Sequence, residues 1–270
     1  MNPEQQYYEV AEFWSPEQET EMDLARYRHV ADVIPARTKS VLDVGCGNGS
    51  LLRYLRTTSP GLHLHGFDRS AAALRHVNEP HTSGDITQLP FTEGQFDCLT
   101  CCEVLEHLPA PLFNRALTEL ARVAKHTVIV TVPAAENLAE NQIECPDCRS
   151  RFNANLHLRS FSIASMANMM IPHGFSAIVT PMLAAPVYPG LAALLRLKKG
   201  RPARVNYFPH SIPCAICGTD IPPSQPQSAG APKTLAITTK PRVTDRLLRR
   251  CWPHYNKPRW FIAQYQRITS

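Results

Sequence analysis

At 270 residues and 44% hydrophobic content, the chain exceeds the needs of one modest domain but falls short of two full ones. No apolar run reaches the ~18 residues of a membrane-spanning helix, and the polar start Met1-Asn2-Pro3-Glu4-Gln5-Gln6 lacks signal-peptide character. These features, with a net charge of +5, point to a cytoplasmic protein whose nine cysteines are thiols or metal ligands.

The first predicted helix covers 15–34. Ser15 can cap it, Pro16 suits its first turn, and Glu17 and Glu19 complement its dipole. Met22, Ala25, Val30, Val33 and Ile34 form a patchy apolar face. Upstream, Tyr7, Tyr8, Phe13 and Trp14 either staple this helix to the core or line a ligand pocket.

From residue 38 strands and helices alternate, which implies a parallel sheet with helices on both faces. Strands fall near 40–44, 62–67, 81–84, 96–101 and 126–132, and helices near 50–57, 70–77 and 110–124. A helix near 160–172, closed by Pro172 and Gly174, precedes a strand at 176–180, and 260–268 is the last good strand candidate.

The most informative stretch is Val41-Leu42-Asp43-Val44-Gly45-Cys46-Gly47-Asn48-Gly49. A strand ends in three alternate glycines, where the backbone can turn sharply and approach a ligand. The helix that follows directs its free N–H groups at whatever lies over the turn. The spacing is not the G-x-G-x-x-G of dinucleotide sites, and no Lys-Ser/Thr pair marks a P-loop. Asp43 would repel a pyrophosphate and suits a ligand bearing positive charge or hydroxyls. Asp68 ends the second strand 19 residues beyond Gly49, where a doubly wound fold places an acid on a ribose.

With Ser83-Gly84-Asp85-Ile86 and Glu103-Val104-Leu105-Glu106-His107 added, the chain resembles the class I S-adenosylmethionine-dependent methyltransferases. It is most similar to the group whose fourth strand ends in Glu-Val-Leu-Glu-His. The resemblance covers about residues 38–183 plus the last strand. It implies an α/β, Rossmann-like seven-stranded sheet, mostly parallel with an antiparallel last strand and helices on both faces. The expected division is an N-terminal helical extension (1–37), a cofactor-binding domain (38–183 plus 257–270) and an insertion or cap (184–256). By resemblance, Asp43, Gly45, Cys46, Gly47 and Gly49 frame the methionine part of S-adenosylmethionine. Asp68, with Arg69 beside it, binds the ribose, and Asp85 and Ile86 the adenine. Glu103 and His107 border the sulfonium and the substrate entrance. An N-terminal extension often covers the cofactor site in this fold class. Glu106 reads as a solvated acid at a helix start.

Methyl transfer from a sulfonium is an in-line displacement with a good neutral leaving group, so the protein mainly positions the reactants. A hydroxyl or carbon-acid acceptor would also need a base. His107 and His157 are the candidates. The resemblance places His157 before the helix after strand five, at the pocket edge. Its alternative role is to support the cysteine loop or to replace a metal ligand.

Cys145-Pro146-Asp147-Cys148 and Cys214-Ala215-Ile216-Cys217-Gly218 are two C-x-x-C knuckles. In a reducing compartment such pairs read as a four-thiolate structural zinc site. The 65 residues between them exceed the spacing of a compact zinc ribbon, but strands five and six end on the same rim, so both knuckles can emerge together as a cap over the site. Cys98 and Cys101 lie three apart on a strand, face opposite sides and read as core residues. Cys46 is a spacer whose backbone matters more than its sulfur.

The segment 222–232 reads as a linker, and 191–201 as a packed helix or a membrane-touching one. The basic cluster over 240–259 suits an anionic substrate, a membrane surface or a solvated face. No nucleic-acid-binding module accompanies it. The expected acceptor is a small molecule or glycan precursor. The alternatives are a zinc-stabilised interaction module on a methyltransferase-like fold, or a protein or RNA methyltransferase. Oligomeric state is not legible.

Overall fold

The computed structural model describes Tyr8, Glu9, Trp14 and residues 19–139, 142–183, 185–187, 211–214, 216–222 and 255–268. The first helix, α1 (Glu21–Val33), starts later than the sequence suggests. Thr20, not Ser15, caps it. The Thr20 hydroxyl accepts from the Asp23 N–H at 3.2 Å, and the Asp23 carboxylate accepts from the Thr20 N–H at 3.0 Å, a reciprocal pair that satisfies two otherwise orphaned donors. Glu19 accepts from the Ser50 hydroxyl and pairs with Arg53 at 2.5 Å, so it ties the N-terminal segment to the next helix instead of serving the dipole of α1. Ser15, Pro16 and Glu17 lie outside the described residues.

Strand β1 (Ser40–Val44) leads into α2 (Ser50–Thr58), and β2 (His63–Asp68) into α3 (Ala71–Leu74). The expected 70–77 helix is cut to four residues because the chain must reach β3 (His81–Ser83) within six more. Strand β4 (Phe96–Cys102) precedes a 3-10 turn, Leu105–His107, and α4 (Ala110–Val123). Strand β5 (Ala124–Pro133) follows α4 without a loop.

Two short strands, β6 (Gln142–Glu144) and β7 (Arg151–Asn153), then form a hairpin. Helix α5 (Ile163–Met169) is shorter than expected and is followed by the 3-10 turn Ile171–His173. Gly174 closes that turn at φ +81. Strand β8 (Phe175–Met182) comes next, then the pieces β9 (Ala185–Val187), β10 (Ile212–Pro213), β11 (Asp220–Ile221) and β12 (Tyr255–Lys257), and finally β13 (Trp260–Arg267).

The main sheet runs β3-β2-β1-β4-β5-β13-β8. Only β13 is antiparallel to its neighbours, and it pairs with both β5 and β8. Strand alternation divides the core. Leu42, Val44, Leu99, Cys101, Val128 and Val130 pack on one face with Leu117 and Leu120 of α4 and Met166 of α5. Val41, Cys98, Ile129 and Ile262 pack on the other with Val30 of α1 and Leu51, Leu52 and Leu55 of α2. Cys98 and Cys101 therefore face opposite sides as expected. The stretches 191–201 and 223–250 and Cys251 lie outside the described residues, and among those described no helix is long and apolar enough to cross a membrane.

Candidate functional site

The C-terminal ends of β1, β2 and β4 carry the acids. Asp43 is registered opposite Thr100 on β4, so the Thr100 hydroxyl donates to its carboxylate at 2.7 Å. Burial pushes the Asp43 carboxyl up to about 7 against that hydrogen bond. Beyond Val44 the chain turns through Gly45, Gly47 and Gly49 at φ +77, +53 and +76, a region hostile to side chains. A Cβ on Gly45 would lie 2.3 Å from Val104. The Gly45 N–H is bound by the Phe67 carbonyl at 2.7 Å, which fixes the turn against β2. Asp68 accepts from the N–H groups of Gly47 and Ser70, each at 2.8 Å. Burial raises its carboxyl despite these donors. Asp85 closes its own turn by accepting from the Thr87 N–H at 2.8 Å, with Ile86 packed against the core. The Cys46 side chain is buried beside Gly66, and burial drives its thiol far up, so it presents backbone and not sulfur to the turn.

The aromatic N-terminal residues close over this turn. Trp14 sits on Gly47, where an added Cβ would come within 2.7 Å of the indole. Tyr8 lies under the Arg69 guanidinium at 4.9 Å and bonds His107 Nδ1 at 3.0 Å. Glu9 receives the N–H groups of Ala71 and Ala72, both at 3.1 Å. Tyr7 and Phe13 lie outside the described residues.

At the end of β4, Glu103 takes φ +57. Its carboxylate accepts from the Trp260 indole at 2.7 Å and the Thr131 hydroxyl at 3.0 Å. Arg26 of α1 lies 3.5 Å from it and stacks over Trp260 at 5.5 Å. Burial raises the Glu103 carboxyl, with Arg26 opposing. Sequence reading did not single out Arg26. Its position in an amphipathic helix gives no sign that it reaches the sheet rim.

Glu106 is not solvated. It is 1% exposed, and both carboxylate oxygens lack a hydrogen-bond partner. Its backbone carbonyl accepts from the Leu158 N–H at 2.8 Å, which folds the segment after β7 down over it. Burial holds its carboxyl well above the usual range. His107 and His157 meet edge to face, ring centres 4.8 Å apart. Burial first, and His157 second, press His107 down to about 3. His157 Nδ1 bonds Glu136 at 2.5 Å. Glu106, His107 and His157 together offer three ligand atoms within 4.8 Å of one another. His157 and Glu136 open into a cleft of about 470 Å³ that Glu103, Asn155, Lys257, Arg259 and Trp260 also line. Glu136 is a further residue that sequence reading passed over, because nothing in its local pattern connects it to a histidine 21 positions away.

The two knuckles meet. All four sulfurs of Cys145, Cys148, Cys214 and Cys217 lie within 4.8 Å of one another, with Cys145–Cys217 and Cys148–Cys214 each at 3.6 Å. The loops share one design. The N–H of the first cysteine is bound by the residue five positions on, Ser150 or Thr219, both at 2.9 Å. The residue after the second cysteine, Arg149 or Gly218, takes positive φ. Burial opposes ionisation of Cys214, but the Cys217 and Ile216 N–H groups and the Ser150 hydroxyl outweigh it and bring that thiol to about 6.

A family model described as "Methyltransferase domain" matches residues 17–179. The ubiquinone biosynthesis O-methyltransferase of Thiobacillus denitrificans is 34% identical over 113 residues, covering 37% of this chain and 48% of that protein. A probable chloroplastic tocopherol O-methyltransferase of Oryza sativa subsp. japonica is 33% identical over 134 residues, covering 42% and 36%. The chain thus spans about half the length, or less, of these curated relatives. Among solved structures, a SAM-dependent methyltransferase from Archaeoglobus fulgidus superposes over 92% of this chain and 94% of its own, with TM-score 0.54 at 12% identity. The YcgJ protein of Bacillus subtilis does so over 90% and 98%, with TM-score 0.52 at 16% identity. The structural likeness speaks for the fold, and the family model, matched over more than half the chain, for descent: the chain belongs to the methyltransferase-domain family, the class I S-adenosylmethionine-dependent methyltransferases.

Proposed function

We propose that the protein moves a methyl group from S-adenosylmethionine to a hydroxyl of a small molecule or glycan precursor. The observation that carries this reading is the cleft lined both by Glu103, at the end of β4, and by the hydrogen-bonded Glu136–His157 pair, a couple able to accept a proton. The names of the relatives, both O-methyltransferases, support the choice of a hydroxyl.

The positive-φ glycine turn and the buried acids fit the donor: a Cβ at any of the three glycines would fill the cradle or strain it. In this reading Asp43 and the turn hold the methionine end, Asp68 and Arg69 the ribose, Asp85 and Ile86 the adenine. Bound there, S-adenosylmethionine supplies an electrophilic methyl on a sulfonium. His107, pressed to about 3, stays neutral in ordinary buffers and is a poor base. It orients Tyr8 and His157 instead. His157 takes the hydroxyl proton on Nε2, while Glu136 holds Nδ1–H and stabilises the imidazolium. Trp14 and Tyr8 exclude water from the donor side.

Tetrahedral zinc with bonds of about 2.3 Å places sulfurs about 3.8 Å apart. The observed 3.6 Å pairs support structural zinc at the four cysteines, joining the β6–β7 and β10–β11 hairpins. Glu106, His107 and His157 support a second reading of the rim. A divalent cation there would give the unpartnered Glu106 oxygens a counter-charge.

The test combines binding and turnover. S-adenosylmethionine should raise the melting temperature, and a panel of phenolic and sugar hydroxyl acceptors should yield S-adenosylhomocysteine in a reaction that His157→Ala slows by about 10²-fold or more. No thermal shift would sink the donor assignment. Turnover confined to amines would sink the hydroxyl assignment.

A further inference from the structure

The lining of the acceptor cleft mixes signs: the carboxylates Glu103 and Glu136 and the imidazole of His157 share it with two cations, Lys257 and Arg259. Among the described residues neither cation makes an ion pair. Their backbone is nonetheless pinned. The Arg259 N–H donates to the Met182 carbonyl at 3.1 Å, and its carbonyl accepts from the Ala134 N–H at 2.9 Å. Lys257 is registered opposite Ala185 in the β9–β12 pair, and Pro258 restricts the link between them. Two like charges two residues apart repel, Lys257 half-buried and Arg259 exposed, and an anion between them would relieve that repulsion. A concave site focuses the field of the two cations and raises the concentration of anions next to them. An arginine fork matches the geometry of carboxylate or phosphate oxygens, and a neighbouring lysine adds a point charge. A cleft of about 470 Å³ is of small-molecule size. Two cations do not make the track of charge that a nucleic-acid strand needs.

We infer that the methyl acceptor carries an oxyanion, phosphate or carboxylate, which docks on Lys257 and Arg259 while its hydroxyl faces Glu136 and His157. This rests on the hydroxyl-methylation reading above for the role of the bound molecule, though not for the anion site itself. The two groups set both orientation and selectivity: the anion anchors one end, and the dyad receives the other.

The test uses the full chain saturated with S-adenosylhomocysteine. Isothermal titration with inorganic pyrophosphate, and separately with benzoate, compares the wild type with a Lys257→Glu/Arg259→Glu variant and a milder Lys257→Gln/Arg259→Gln variant. At least one anion should bind the wild type, and both variants should weaken it by about tenfold or more while S-adenosylhomocysteine affinity stays unchanged. The tighter of the two anions distinguishes a phosphate from a carboxylate acceptor. Absence of binding, or equal binding by the variants, overturns the inference. In turnover, matched hydroxyl acceptors with and without the anionic group should differ by about tenfold or more in kcat/KM, a preference the variants lose; equal use of both overturns it as well. If no hydroxyl compound is methylated, the O-methylation reading fails, and the titration still decides the anion site.

Discussion

Cys145 and Cys217 are 72 residues apart in the chain, and their sulfurs lie 3.6 Å apart. The pairing is crossed: each knuckle contributes one buried and one exposed sulfur, and each close pair takes one member from each knuckle. Such an arrangement closes a long loop and leaves four thiols facing a common point, which bare sulfurs do not favour.

Purified protein is therefore expected to carry about one zinc per chain. Cys217→Ser should reduce that content to near zero and lower the melting temperature. The main sheet is built without the knuckles, so the far-ultraviolet dichroism should change little. Elemental analysis with thermal melts checks this, and wild-type protein that is metal-free yet equally stable would refute it.

Asp43 predicts a pH dependence with a definite sign. Its folded value, about 7, lies above the unfolded value of about 3.9. Its contribution to stability is intact below about pH 4 and is lost as pH rises through 7. A cationic donor favours the ionised carboxylate. Donor affinity should thus fall by up to about tenfold per unit as pH drops below 7, and Asp43→Asn should flatten both profiles. Melting curves and titrations from pH 5 to 8 give the slopes.

Glycine requirements differ sharply between two positions. Gly45→Ala meets Val104 at 2.3 Å and forces φ +77 on alanine. A cost of about 1–2 kcal/mol from backbone handedness alone, plus the clash, should accompany loss of donor binding. Gly61→Ala has nothing within 4 Å and should be close to neutral. Denaturant unfolding of both variants checks the contrast.

The orphaned Glu106 predicts a response to metal. Added Mn²⁺ or Mg²⁺ should raise the melting temperature of wild-type protein, and Glu106→Gln should abolish that rise while leaving the zinc content unchanged. A Glu106→Gln variant that responds to Mn²⁺ as the wild type does would remove the cation reading and leave Glu106 a protonated buried acid.

Much of this molecule is legible before folding. Short apolar runs such as Val41-Leu42-Asp43-Val44 and 126–132 locate the central strands, because parallel strands covered on both faces bury nearly every side chain. The glycine spacing and the acids after each strand point to one rim, because parallel strands end together. Helix limits are less legible. The helix begins at the Thr20–Asp23 pair while Glu19 turns away to Ser50 and Arg53, and α3 is shortened by the need to reach β3.

The partners that give the site its character were not legible. Arg26 reaches Glu103 from another element. Glu136 finds His157 across the hairpin that bears the first knuckle. Glu106 looks solvated by its position at a helix start, yet the Leu158 bond folds a later segment over it.

What the sequence determined by itself was periodicity, turn chemistry and the order of charged residues along the chain, since these depend on neighbours a few positions away. The tertiary structure alone decided which thiols cluster, which carboxylate is left dry and which cations line the cleft of the Glu136–His157 pair. Burial and long-range pairing depend on how residues 57 to 231 positions apart are brought together, and no local pattern encodes that distance.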